Sequence, residues 1–564
     1  MNPLTRRGLA SRRGESWAVA LALLLWLGWS AGLRPLTLPD EGRYVGIAWE
    51  MLHGAGGLLP TLDGLPYFHK PPLFYWITAG SFAAFGPSEF AARAAPLAGA
   101  MLAALSLWCF LRRWGSAAQA RWSVVVLATQ PLFLVAAQFA NLDMLVAGLI
   151  TCSVLGFADA ALQAMAGRRA RAMLLGAYFA SALAVLAKGL IGAVLPALVV
   201  VAWLLLARRA RVMLALLWPP ALLAFVLVAA PWFWLMQRRF DGFFDYFFVY
   251  QHVQRFAQGG FNNELGPWFY PAVLGVLALP WSLALLLRGP KPEVASAAAP
   301  PPEPATPGTA AAASPAASAP LVRRLMWAWL VVVVVFFSLP RSKLVGYVLP
   351  ACAPLAFIVA DRLLAVAARR RRWDAVLRAG AVVAAGLSAA AVLWLAQRDI
   401  GSSRALAAAF VAQRQPGEAL VFVEHYPFDF RFHAGWAAPV PVVDDWGDPA
   451  LAAQDNWRKE LADAARFDNT AAQAALWSHE RFRRELCGPP ASWVVGAHQL
   501  PARHADLALA APVASTARLA LWRIERPARC AGERPPAGAP NVALRSDNRA
   551  VNRLETPSPG SAGR

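Results

Sequence analysis

The chain reads as a succession of long apolar runs separated by short polar breaks, most of them rich in arginine. Eleven runs approach or reach spanning length: Trp17 to Leu33, Phe90 to Leu111, Trp122 to Gln138, Met144 to Met165, Met173 to Ala187, Leu190 to Ala207, Val212 to Leu235, Trp268 to Leu287, Leu325 to Leu339, Leu344 to Ala360 and Ala375 to Ala396. A span needs about 20 mostly apolar residues and must bond its own backbone, which favours helices. The first run is too long for a cleaved signal peptide, and no small-residue cleavage site follows it. After Gln397 the pattern changes to short β-like runs at Ala419 to Glu424, Val440 to Val443, Ser492 to Val495 and Leu519 to Ile524, with amphipathic helical spacing from Leu461 to Leu476. The fold expected is an α-helical polytopic membrane protein of about eleven transmembrane helices with a small C-terminal α/β domain. Its expected divisions are a basic N-terminus (1–16), a membrane domain (17–396), an exported α/β domain (397–526) and a disordered tail (527–564). A disordered, Ala-, Pro- and Ser-rich linker (289–320) interrupts the membrane domain.

Composition sharpens this picture. Of 564 residues, 58% are hydrophobic and 15% charged, with a mean hydropathy of +0.44, which excludes an ordinary soluble enzyme. The net charge of +20 would point to nucleic acid in a soluble protein, but here the basic residues sit in short clusters between spans. They are Arg6, Arg7, Arg12 and Arg13; Arg112, Arg113 and Arg121; Arg168, Arg169 and Arg171; Arg208, Arg209 and Arg211; Arg288, Lys291, Arg323 and Arg324; and Arg362, Arg369 to Arg372 and Arg378. These clusters fall on alternate loops, the signature of cytoplasmic loops under the positive-inside rule. The partner is therefore the lipid bilayer and not nucleic acid, and an odd number of spans puts the C-terminal region outside. Three of the five cysteines, Cys109, Cys152 and Cys352, fall in spans as small apolar residues. Cys487 and Cys530 fall in the exported region, where a disulfide is permitted.

With the sides assigned, the polar residues that apolar spans should not contain gather on the outer side. They are Asp40, Glu41 and Arg43; Tyr67, His69 and Lys70; Asn141 and Asp143; Lys188; His252 and Arg255; and Arg341, Lys343 and Tyr347. A lone acid after a span is usually a solvated turn residue. Lys188, however, lies between two apolar runs with almost no loop, and Arg341 with Lys343 breaks the positive-inside pattern, which is costly unless an anion is bound. Two carboxylates with several cations on one face suggest a phosphate pocket, the cations meeting its oxygens and an Asp the reacting partner.

These motifs, in this order and topology, resemble the ArnT-like, protein-mannosyltransferase-related polyprenyl-phosphate-sugar glycosyltransferases of the GT-C superfamily. The resemblance runs from about Pro39 to Pro354. It is carried by Pro-Asp-Glu-Gly-Arg-Tyr (Pro39 to Tyr44), Tyr-Phe-His-Lys-Pro (Tyr67 to Pro71), Phe85-Gly86 followed by Arg93, Asp143, Lys188-Gly189, Tyr-Gln-His-Val-Gln-Arg-Phe (Tyr250 to Phe256), Leu279-Pro280-Trp281, and Lys343 to Tyr347. It implies an inner-membrane glycosyltransferase that takes a sugar, in some members 4-amino-4-deoxy-L-arabinose, from a polyprenyl (undecaprenyl) phosphate carrier. The transfer occurs with inversion at the periplasmic face, and in the aminoarabinose members the acceptor is a lipid A phosphate. Carried over, Asp40 and Asp143 are the catalytic acids, and Arg43, Tyr44, Tyr67, Lys70, Lys188, Lys343 and Tyr347 bind the donor phosphate. His252 matches a metal-binding histidine. The family commonly has Glu where this chain has His69; imidazole also binds zinc, so a divalent-metal site at His69 and His252 is one reading and two hydrogen-bonding histidines the other.

The chemistry required is that of an inverting displacement. The leaving polyprenyl phosphate gains charge that Arg43, Lys70 and Lys188 would stabilise. A hydroxyl acceptor must lose a proton to Asp40, whereas a phosphate acceptor is already ionised and needs only positioning. Three other readings fit parts of the sequence. A protein O-glycosyltransferase would use the same lipid donor. A secondary transporter should show repeated halves and mid-membrane charges, neither of which is visible. A sensor anchored by its spans would not need Asp40, Asp143 and Lys188.

Overall fold

The computed structural model describes residues 3–54, 57–254, 264–287, 315–369, 372–398, 401–453, 455–507 and 510–530. Helices occupy all eleven apolar runs, but not all are spans by length. Seven are long and apolar enough to cross a membrane among the described residues: Ala94–Trp114, Leu142–Met165, Arg171–Lys188, Pro219–Arg239, Ser318–Ser338, Val345–Ala367 and Arg372–Ala396. The pair Ala117–Ala128 and Pro131–Ala137, bent by 68°, makes an eighth if counted as one span. Pro131 cannot donate a backbone N–H and holds Gln130 out of the helical region, so the ladder breaks there. Ser388 Oγ donates to the freed Thr129 carbonyl at 2.9 Å, and Trp281 Nε1 donates to Thr129 Oγ1 at 2.9 Å. Neighbouring helices thus satisfy what the kink exposes.

The remaining runs depart from the simple pattern. The first apolar run lies in the helix Pro3–Gly28, whose apolar part is Gly14–Gly28, and Ile191–Leu206 is a shorter apolar helix. The run Trp268 to Leu287 is not one helix: Phe269–Leu277 is α-helical and Trp281–Leu286 is a 3₁₀ helix, with Pro280 between them. Of the expected linker 289–320, residues up to 314 lie outside the described ones, while its last residues begin the helix Pro315–Ser338. Leu73–Phe85 is a further short apolar helix that the sequence pattern did not separate from its loop.

Leu142–Met165 is the central helix, with 89% of its apolar window buried. It crosses Ala94–Trp114 at two glycines. A Cβ on Gly148 would stand 2.1 Å from the Gly99 carbonyl oxygen, and one on Gly99 would stand 2.4 Å from that of Met144. Backbone contact this close is the small-residue mode of helix packing in membranes. On the periphery, Leu198, Leu205, Leu223, Leu227 and Val382 are exposed and suit a lipid-facing surface. The helices Leu142–Met165 and Arg171–Lys188 are antiparallel neighbours. Asp143 and Lys188 therefore meet at one end of the bundle, and Arg168, Arg169 and Arg171 lie at the other.

At the Asp143 end the chain adds the helix Asp40–His53, a hairpin of β1 (Thr61–Leu62) and β2 (Leu65–Pro66), and a π-helical segment Asp245–Gln254. A C-terminal sheet packs against them. Its strands are β3 (Ala419–Val423), β4 (Val442–Val443), β5 (Leu476–Trp477), β6 (Ala491–Ala497), β7 (Ala514–Ser515) and β8 (Leu519–Glu525), in the order β5-β4-β3-β6-β8-β7. The first four run parallel; β8 is antiparallel to β6 and β7 to β8. The helical run expected over Leu461 to Leu476 is two helices, Trp457–Ala465 and Asn469–Ala475, because the Asp468 side chain caps the second by accepting from Ala471 N. Cys487 and Cys530 form a disulfide with Cα atoms 5.4 Å apart. Ordered structure therefore extends through the 3₁₀ turn Ala528–Cys530, past the expected tail boundary at 527; residues after 530 lie outside the described ones.

The start of helix Asp40–His53 is fixed by a buried carboxylate. Glu41 and Arg93 are fully buried and Arg34 is 5% exposed. Arg93 donates to Glu41 from Nε (2.9 Å) and Nη2 (3.2 Å), and Arg34 pairs with both carboxylate oxygens. The backbone N–H groups of Thr37 (2.9 Å) and Ala140 (2.7 Å) complete the shell. The arginines spend their other donors on the carbonyls of Ala31, Arg34, Pro35 and Gln138. Burial alone would raise the Glu41 pKa, but Arg93 and then Arg34 outweigh it and bring it down to about 2.

Two predictions follow from this architecture. Removing one charge from a buried, hydrogen-bonded cluster leaves the others uncompensated, so Glu41→Gln should lower stability by about 3–5 kcal/mol, read by thermal unfolding in detergent. The Glu41 contribution is complete above its ordinary pKa of 4.5 and is lost as pH falls towards about 2, so the variant should also show a flatter loss of stability over that window than the wild type. Thiol alkylation under denaturing conditions should label three cysteines without reductant and five after reduction. Five without reductant would show that Cys487 and Cys530 are unpaired.

Candidate active site

Two charged groups stand at the Asp143 end of the bundle, and the first is built on helix Asp40–His53. Asp40 and Arg43, three apart, share one face, while Glu41 turns inward to the arginine cluster. Arg43 also pairs with Glu460 on helix Trp457–Ala465. Its guanidinium lies 5.5 Å from the Tyr44 ring centroid and 5.8 Å from that of Phe428. The Asp40 side chain is 48% exposed, against 16% for Arg43 and 6% for Glu460. Burial alone would lower the Arg43 pKa; Glu460 and, behind it, Tyr67, Tyr44 and Asp40 together outweigh burial and hold the guanidinium firmly protonated.

The helix lies almost directly on the backbone of the C-terminal region. A Cβ on Gly46 would stand 2.8 Å from the Phe428 carbonyl oxygen, and one on Gly42 would meet Leu38 Cδ2 at 2.3 Å and Asp429 N at 3.2 Å. A second buried ion cluster holds the hairpin in place. Arg431 Nη1 donates to Glu50 (2.6 Å) and Asp63 (3.2 Å), and Glu50 accepts from Thr61 Oγ1, Asp63 N and Gly64 N at 2.7 to 2.9 Å. The turn is Asp63-Gly64 with φ of +56° and +80°, the Asp-Gly pairing that tight hairpins favour.

The hairpin delivers Tyr67, Phe68, His69 and Lys70 to the site. Tyr67 stacks on His69 at 4.6 Å between ring centroids. Tyr44 stands 5.7 Å from Phe74 and 6.2 Å from Tyr75. Burial first, and Glu460 second, keep the Tyr67 hydroxyl protonated; burial does the same for Tyr44, assisted by Asp40 and Asp143. Both phenols are therefore neutral O–H donors. Lys70 is half-buried beside His69.

The second group joins Asp143, Lys188 and Tyr347. Asn141 caps helix Leu142–Met165, its Oδ1 accepting from Asp143 N at 2.5 Å. Lys188 is the last residue of helix Arg171–Lys188, where the dipole favours a cation, and the following Gly189 takes φ +89° to end the helix. Lys188 pairs with Asp143, and its ammonium lies 4.2 Å from the Tyr347 ring centroid. Gly346 permits this arrangement: a Cβ there would stand 2.1 Å from Asp143 Oδ2. Tyr44 lies within electrostatic reach of both Asp40 and Asp143.

Some expected site residues are placed differently. Lys343 is buried and donates to the Pro340 carbonyl, so its charge is directed into its own loop. His252 lies on the π-helical segment, but its side chain, like all of Arg255, is outside the described residues. His69 is 7% exposed and stands 5.9 Å from Tyr246. The pair His69 and His252 thus offers one described imidazole, and no step is routed through a metal there. Sequence reading missed Tyr246, Gln251, Glu460 and Asp463. Gln251 Nε2 donates to the Tyr246 hydroxyl at 3.0 Å, which lies 3.4 Å from Asp463 Oδ2. The available signal was two acids three apart, Glu460 and Asp463, on the amphipathic helix of the C-terminal region.

Comparison with known proteins fits this arrangement. The model of the dolichyl-phosphate-mannose-protein mannosyltransferase family matches residues 39–247. A Pseudomonas aeruginosa undecaprenyl phosphate-alpha-4-amino-4-deoxy-L-arabinose arabinosyl transferase is 31% identical over 423 residues, which cover 74% of this chain and 70% of that protein. The Erwinia tasmaniensis protein of the same name is 32% identical over 337 residues, 59% of this chain. The chain spans 57–60% of the length of that protein and of its Shewanella sediminis and Aeromonas hydrophila counterparts. The fold is similar to the crystal structure of ArnT from Cupriavidus metallidurans bound to undecaprenyl phosphate, with a TM-score of 0.73 and 22% identity, over 93% of this chain and 99% of that one. The helix bundle, the C-terminal sheet and the relatedness to the Pseudomonas protein together place this chain in the ArnT-like family of GT-C polyprenyl-phosphate-sugar glycosyltransferases.

Proposed function

We propose that the protein transfers a sugar, 4-amino-4-deoxy-L-arabinose as in the relatives' name, from undecaprenyl phosphate to a lipid A phosphate. The reading places the protein in the bacterial inner membrane, with the site and the C-terminal domain on the periplasmic side. The observation that carries it is the pairing of Asp143 with Lys188 beneath Tyr347, beside Arg43, Tyr44 and Tyr67 at the same end of the bundle. Such a set suits an anion on a lipid: two cations neutralise phosphate oxygens, and two protonated phenols donate to them.

On this reading Lys188 and Arg43 bear the charge that grows on the departing polyprenyl phosphate, with Lys70 at the rim. An acceptor phosphate attacks as an anion and needs no base. Asp40, the most exposed acid of the first group, then orients the acceptor or the sugar's amine. Asp143 holds the Lys188 ammonium in place until the donor phosphate competes for it. Lys343 has a supporting role, since its ammonium is engaged by Pro340. A metal at His69 and His252 is not required for any of these steps. The match of the mannosyltransferase family model over residues 39–247 supports a second reading, in which the acceptor is a protein hydroxyl and Asp40 is the base.

Mass spectrometry of lipid A and of envelope glycoproteins, from cells with and without the protein, separates the two acceptors. In membranes, Lys188→Ala and Asp40→Asn should each reduce transfer by about 100-fold or more with normal protein levels, and Lys70→Ala should also abolish it. Full activity in all three would remove the proposal. Glu460→Gln leaves Arg43 with Asp40 alone and should lower the rate about tenfold, measured in the same assay, because a misplaced cation loses part of its stabilisation of the leaving group.

A further inference from the structure

A separate cluster of metal-ligating side chains lies in the C-terminal sheet, away from His69. The parallel strands β3, β4, β5 and β6 each release the chain at the same edge. In turn they supply Glu424, Asp444, His479 and, after one short 3₁₀ turn, His504. The carboxyl edge of a parallel sheet is where α/β folds collect ligands. One potential ligand atom from each of Glu424, His479 and His504 lies within 4.8 Å of the others. His504 Nε2 is 3.2 Å from Glu424 Oε1, and the two imidazole centroids are 5.2 Å apart.

Two observations go beyond a simple His504–Glu424 hydrogen bond. His479 Nδ1 is buried without a hydrogen-bond partner among the described residues, although an imidazole nitrogen away from water normally has one. Glu424 holds a left-handed backbone with φ +51°, uncommon for a residue with a Cβ and often found where a side chain is aimed at a ligand. The other carboxylate oxygen, Oε2, is taken by Arg503 at 2.5 Å, but that side chain is 62% exposed and can be released at small cost. Asp444 is close enough to act electrostatically on His479 and Glu424, and it is itself held by Arg458 at 2.8 Å.

We propose that Glu424, His479 and His504 bind one divalent transition-metal ion of the zinc class, with water in the fourth position. Two imidazoles and one carboxylate favour zinc over magnesium or calcium, which prefer all-oxygen shells. Tetrahedral zinc places its ligand atoms roughly 3.4 Å apart, so the three side chains close inward by rotation on binding. The ion clips together the loops after β3, β5 and β6.

The test uses the full-length protein in detergent, stripped with EDTA and titrated with zinc against a chromophoric chelator, with metal content by mass spectrometry. One zinc per chain is expected. His479→Ala with His504→Ala should weaken binding on the order of 100-fold or more, whereas His69→Ala with His252→Ala should leave it unchanged. Cobalt in place of zinc should give tetrahedral visible bands that the first pair of substitutions removes. The milder His479→Asn with His504→Gln, showing wild-type thermal unfolding without metal, should lose the zinc-induced rise in melting temperature. A wild-type protein that binds no zinc, or zinc retained when His479 and His504 are replaced, would overturn the proposal.

Discussion

A carboxylate removed from water at the edge of a bilayer must be fully paired, and Glu41 meets that demand with two arginines and two backbone amides. The position of everything else at this end of the bundle follows from it. Because Glu41 is locked inward, its neighbours Asp40 and Arg43 are turned to the opposite face of the same helix, where the C-terminal region and the candidate site are found. The arginines that hold Glu41 also bond carbonyls at Ala31, Pro35 and Gln138, so the turn that ends the first apolar helix, the loop after it and the end of the bent pair are tied to one point. The Arg431 cluster repeats the device one helix turn pair further on, joining Glu50, the hairpin and the sheet domain.

These two clusters divide the polar residues into those that build and those that are available for chemistry. Within Pro-Asp-Glu-Gly-Arg-Tyr the division alternates along the chain: Asp40 and Arg43 face the site, Glu41 faces the bundle, and Gly42 permits contact with the sheet domain. A string of charged residues beside the bundle is thus split between a buried ion cluster and the candidate site. Only the geometry of the helix separates them.

Much of the architecture was legible in the sequence because its signals are local. Apolar length and the placement of arginines located the helix bundle and its two ends, and β-branched runs located four strands of the sheet. The failures are equally physical. Pro280 splits an apolar run that hydropathy alone treats as continuous, and the Asp468 cap divides a helix whose amphipathic spacing passes through it. At the site, Lys188 and Asp143 stood out because a charge with no loop around it is expensive. Glu460 and Asp463 did not, because on a solvated amphipathic helix an acid looks ordinary until the fold brings it to Arg43 or Tyr246. Lys343 was conspicuous for the right reason, yet a nearby carbonyl already engages its charge.

The glycine contacts at Gly42 and Gly46 leave no layer of side chains between the helix Asp40–His53 and the C-terminal domain. Surfaces joined backbone to backbone, and pinned on either side by buried ions, do not hinge apart in the way that two domains across a wet cleft do. On the proposed reading, access to the site is then a matter of lateral traffic: a lipid carrier would arrive along the plane of the bilayer, between helices, with the exported domain serving as a fixed roof.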